Sequence, residues 1–128
     1  MIFDTDVLIW FLRGDAAAAR LIESQSERAM SAVSAMELLQ GARSRDEIKN
    51  IHQFTQRTGM RLIPVNESIS HVALSLIEAY ALSAGLRVAD ALIAATAREA
   101  ALPLATGNAR HFKAIAGLEV KAFRPGAK

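Results

Sequence analysis

Short apolar runs of strand length alternate with helical segments along the chain, and this alternation narrows the possible folds more than any other feature. Residues 2–3, 29–33, 62–65, 102–105 and 120–123 read as strands. Helical stretches lie between them at residues 7–12, 16–23, 34–42, 46–56, 67–84 and 88–100. The longest carries an apolar stripe of Val72, Ala73, Leu76, Ile77, Tyr80 and Ala81, which is helical spacing. Asn66 can cap its start and Gly85 can end it. Asp15 can cap 16–23, and Pro64 is tolerated only near an edge or end of its strand. Strands alternating with helices predict an α/β fold with a mostly parallel sheet covered on both faces.

At 128 residues the chain is expected to form a single domain, 1–128. A domain of this size buries roughly two-thirds of its unfolded surface, enough for a core without staples. The hydrophobic fraction of 52% argues against disorder. With no cysteine there is no disulfide, thiolate metal site or cysteine nucleophile. No apolar run approaches the ~20 residues that span a bilayer, and no export signal opens the sequence, so a cytoplasmic protein is expected. The net charge of +2 does not by itself point to nucleic acid. Local clusters matter more: Arg43, Arg45 and Lys49, then Arg110, His111 and Lys113. They read as solvated helix faces unless they flank an acidic site, where they would suit phosphate.

Five polar positions can carry chemistry. Asp4 leaves the first strand, where open α/β sheets bind ligands, though it can equally cap a helix. Asp6 can cap the helix that follows or join the same site. Glu37 closes a Ser34-x-x-Glu pattern, which is also a capping box. Asp90 sits in a first helical turn, favoured there by the helix dipole alone. Below it Ala94, Ala97 and Ala101 follow at helical spacing, letting the helix approach the sheet and carry Asp90 to the strand ends. After the next strand Asn108 can cap a short helix or contact a phosphate. His52, His71 and His111 lack zinc-ligand spacing, and Trp10 and Tyr80 read as core. Carboxylates gathered in one cleft repel one another, and a hard divalent cation, Mg²⁺ or Mn²⁺, resolves that repulsion. Such a cleft rimmed by Arg and Lys suits phosphodiester hydrolysis.

Four stretches carry a resemblance: FDTDVLIWFLRG at 3–14, SAMELLQGAR at 34–43, RVADALIAATA at 87–97 and TGNARHF at 106–112. In this order they resemble PIN-domain ribonucleases, and within them VapC-type toxins of bacterial type II toxin–antitoxin systems. The resemblance implies a three-layer α/β/α sandwich, dimerisation, Mg²⁺- or Mn²⁺-dependent endoribonuclease activity and a cognate VapB-like antitoxin. It maps the family's acids to Asp4, Glu37 and Asp90 as metal and catalytic residues. The fourth polar position falls on Asn108, where many PIN domains carry an acid. Thr106 and Arg110 are expected at the substrate. Two other readings remain: a PIN-like module that binds RNA or a partner without cutting, and a haloacid-dehalogenase-like phosphatase suggested by FDTDVL. The chain is short for the latter, and beyond Gly14-Asp15, close behind FDTDVL, no Gly-Asp or Asp-Asp pair follows to supply its metal site.

Overall fold

The computed structural model describes residues 1–126. The elements run β1 (Ile2–Phe3), α1 (Thr5–Leu12), α2 (Ala16–Glu23), β2 (Ala29–Ser31), α3 (Ala32–Gln40) and α4 (Arg45–Arg57). They continue β3 (Arg61–Ile63), α5 (Glu67–Ala84), α6 (Val88–Ala100), β4 (Leu104–Thr106), α7 (Ala109–Phe112) and β5 (Val120–Ala122). The five strands form one sheet in the order β3-β2-β1-β4-β5, and every pairing is parallel. Such a sheet is stable only when both faces are covered.

The strand period of two divides the core. Ile2, Ala29 and Leu104 face α5 and α6, with Ile69, Leu76, Ala94 and Ala97. Phe3, Met30 and Ala105 face the other way, onto Val7, Leu8, Ile22, Leu38, Ile51 and Phe54. The result is the expected α/β/α sandwich. The chain order turns around at β1: β2 lies on one side and β4 on the other. Open α/β sheets bind ligands beyond the carboxyl ends of strands at such a switch point.

Several local expectations shift. β2 stops at Ser31, because the Ser31 hydroxyl accepts from Val33 N–H at 3.0 Å and caps α3. Ser34 and Glu37 therefore lie inside the helix, and the capping box read from their spacing does not form. α1 starts at Thr5 with Asp4 as its cap, so Asp6 is not the capping residue. β4 starts two residues later than expected. Ala101 adopts a left-handed φ of 55° and ends α6, leaving the packed face to Ala94 and Ala97. Near the end of the described residues, Gly126 N–H donates to Asp15 Oδ2 at 3.3 Å and ties that segment to the cap of α2.

Ala94 and Ala97 are fully buried, so α6 has no room to spare against the sheet. Ala94→Leu is expected to cost about 1–3 kcal/mol by overpacking. Ala79→Leu, at an exposed position of α5, should leave the urea midpoint nearly unchanged. Equal midpoints for both variants would mean that α6 is not tightly packed.

Candidate active site

Asp4 stands at the carboxyl end of β1 and is only 6% exposed. Each oxygen has a donor. Oδ1 accepts from Thr5 N–H at 2.8 Å, and Oδ2 accepts from the buried Thr106 hydroxyl at 2.7 Å, across from β4. Burial pushes the Asp4 carboxyl up to about 6; the negative charges of Asp6 and Asp90 add to the rise, and the two hydrogen bonds hold it back. Asp90 is half-buried in the first turn of α6, near enough to raise both Asp4 and Asp6. The small-residue face of α6 brings it there.

Glu37 reaches the same region from α3. Its Oε1 lies 2.6 Å from the Thr5 hydroxyl, which is also 2.9 Å from Ser34 Oγ. One hydroxyl has one hydrogen. Donated to the carboxylate, it leaves Thr5 to accept from Ser34. Thr5, between Asp4 and Asp6, thus ties α1 to α3 and fixes Glu37.

Asp6 is the residue that sequence reasoning undervalued. Burial raises its carboxyl, with Asp90 adding to the rise, and its Oδ2 accepts from Gly107 N–H at 2.9 Å. Among the described residues its buried Oδ1 has no hydrogen-bond partner. The available signal was its place two residues after Asp4, once Asp4 itself takes the cap.

The turn after β4 supplies the remaining groups. Thr106 Oγ1 accepts from Asn108 N–H at 3.0 Å while donating to Asp4. The Asn108 side chain is exposed and makes no cap bond to α7. Arg110 is exposed one turn on. The basic residues of α4 divide. Arg43, just before the helix, lines a cleft of about 610 Å³ together with Glu37, Ile9, Leu12 and Arg13. Arg45, Lys49 and His52 line a separate shallow depression. Trp10, expected in the core, is only half-buried, with the Arg13 guanidinium 5.5 Å from its ring centroid. Tyr80 does pack against the core.

Among the described residues no three His, Asp or Glu side chains stand in ready coordination geometry for a metal. The residues nonetheless fit a hard cation. The donors are all oxygens, burial and then like charges raise the Asp4 carboxyl, and among the described residues one buried carboxylate oxygen, Asp6 Oδ1, lacks a donor. Mg²⁺ keeps several of its own waters and commonly uses only one or two carboxylates, so a three-carboxylate cage is not required.

Comparisons place this geometry. No curated protein matches the chain. Among solved structures, a toxin–antitoxin complex from Klebsiella pneumoniae is 27% identical, covers 94% of this chain and 95% of its own, and superposes with a TM-score of 0.76. VapBC2 from Rickettsia felis, bound to a promoter DNA fragment, is 19% identical over 97% and 100%, with a TM-score of 0.79. VapBC-1 from nontypeable Haemophilus influenzae is 22% identical over 95% and 98%, also at 0.79. The latter two speak for the fold alone. The PIN domain family model matches residues 1–118, from β1 through the turn that carries Thr106 and Asn108 and on past α7. With its parallel sheet and its acids gathered at the switch point, the chain belongs to the PIN domain family.

Proposed function

We propose that this chain is a VapC-type toxin: a metal-dependent endoribonuclease of the cytoplasm, held inactive by a cognate antitoxin. The observation that carries the reading is Asp4, a carboxylate buried at the switch point and crowded by Asp6 and Asp90. Such a group needs a cation more than it needs water.

Asp4 and Asp90 would hold Mg²⁺ or Mn²⁺, with Glu37 at its edge. Bound there, the cation would polarise a phosphoryl oxygen and offset the charge that develops in the transition state. The protein's own groups do the rest. Thr106 and Thr5 fix the Asp4 carboxylate. Thr5 fixes Glu37, whose other oxygen accepts a hydrogen from the attacking water and orients it. The exposed Asn108 amide donates to a phosphate oxygen, and Arg110 and Arg43 neutralise the flanking backbone. The cleft beside Glu37, lined by Ile9, Leu12 and Ile51 together with Arg13, Arg43 and Glu47, suits an antitoxin segment carrying apolar side chains and charges of both signs. Exposed Leu74, Leu82 and Val88 on α5 and α6 suit a second copy of the chain. No helix among the described residues is long and apolar enough to cross a membrane.

The test is cleavage of total bacterial RNA by antitoxin-free protein, as wild type and Asp90→Asn, with Mg²⁺, with Mn²⁺ and with chelator. Discrete fragments that require both cation and Asp90 are expected, with the variant slower by roughly 10²-fold or more. Folded wild type that binds RNA without cutting it in any lane would favour the binding-only module.

A further inference from the structure

Asp6 adds charge beside Asp4 but is given no cation to hold in this scheme, and its Oδ2 makes a contact 101 residues along the chain. We propose that Asp6 is a positioning residue whose Oδ2 pins the Gly107 N–H and thereby sets the Thr106–Asn108 turn against Asp4. The proposal rests on the nuclease reading for its effect on rate, but not for the contact itself.

Three observations converge. First, Asp6 does not cap α1, since Asp4 does, and its carboxylate turns instead toward the turn after β4. Second, Gly107 lies between Thr106, whose hydroxyl holds Asp4, and Asn108, whose N–H holds that hydroxyl. A shift at Gly107 is transmitted to both neighbours. Third, a Cβ placed on Gly107 would overlap Asp6 Oδ2, and the Phe123 carbonyl would lie 3.7 Å from it. The glycine is there because the carboxylate comes so close to its backbone. Any side chain at 107 would push Asp6 away and break the bond from the opposite end.

The requirement is for an acceptor at this point, not for a charge. Asparagine keeps an acceptor oxygen in the same place, and alanine removes it. That distinction separates a positioning role from cation binding, which needs the carboxylate.

Wild type, Asp6→Ala, Asp6→Asn, Gly107→Ala and the Asp6→Ala/Gly107→Ala double variant are compared in two measurements. Backbone amide exchange at residue 107 is followed by NMR on the cation-free protein. Steady-state RNA cleavage is measured at saturating Mg²⁺. Asp6→Ala and Gly107→Ala should each lower kcat by roughly 10- to 100-fold with KM within about threefold, because the reacting groups are misplaced rather than lost. The double variant should be no slower than either single, since both break one bond. Asp6→Asn should recover most of the loss. The residue 107 amide should exchange faster in Asp6→Ala and stay protected in Asp6→Asn. Asp6→Asn as slow as Asp6→Ala, with the amide still protected, would overturn the proposal in favour of cation binding. An amide equally protected in Asp6→Ala would overturn it outright. Should wild type not cut RNA, the nuclease reading fails and amide exchange still decides whether Asp6 pins the turn.

Discussion

Asp4→Asn should lower RNA cleavage by at least roughly 10³-fold, while the cation-free protein at pH 7 becomes more stable rather than less. The two effects have one cause. The Asp4 carboxyl sits at about 6 in the folded protein, against 3.8 for an ordinary aspartate. Between these values the folded state holds a proton that the unfolded state has released. The group therefore favours folding below about pH 4, and that advantage is lost as pH rises through about 6. Above pH 6 the buried charge costs up to about 3 kcal/mol relative to its protonated form. Asparagine removes the charge and keeps a capping oxygen. In chelator, wild type should gain thermal stability relative to Asp4→Asn as pH falls from 7 to 4, and Mg²⁺ should narrow the gap at pH 7. Parallel melting curves for the two proteins across that range would refute the account of Asp4 as a buried, crowded carboxylate.

Phe3→Ala, one residue earlier, should do the opposite. Phe3 is fully inaccessible and packs in the core with Val7, Leu8, Ile22 and Met30. Truncating a buried phenylalanine costs about 3–5 kcal/mol, a large share of the 5–15 kcal/mol typical of a whole domain. The expected result in urea is a much lower midpoint with little change in slope. Any activity lost should return, at low temperature, in proportion to the folded fraction. A loss below about 1 kcal/mol would mean that this face of the sheet repacks freely. Two adjacent residues thus divide the work: Phe3, in the strand, holds the fold together, and Asp4, just past its end, destabilises it at the candidate site.

Much of this was legible in the sequence because it is local. Helix α5 announces itself by its stripe, by Asn66 and by Gly85, which takes the left-handed φ of 68°. Asp4 was legible from its place at a strand end, and Asp90 from the alanines beneath it. Ser34 and Glu37 misled because two serines compete to start α3. Tertiary contacts decide between them: Ser31 pairs in register with Ile63 of β3, and Ser34 is buried to meet Thr5. Nothing within a few residues of either serine carries that information. Asp6 was obscured for the same reason, since its partner is a backbone N–H on another strand's turn. The basic clusters gave only composition. Where each cation points depends on how α4 and the turn before it are seated, which sends Arg43 and Arg45 to different surfaces.

The sheet order also has a consequence in time. Asp4 emerges first during synthesis, but the hydroxyl that fixes it belongs to Thr106, 102 residues later, on the strand that pairs with β1. A nascent chain can assemble β1, β2 and β3 with their helices while β4 is still inside the ribosome. Such a chain has its first acid exposed at a sheet edge, no turn to hold it and no Asn108. An Asp4 held by both of its hydrogen bonds, with Asn108 beside it, therefore arrives only near the end of translation.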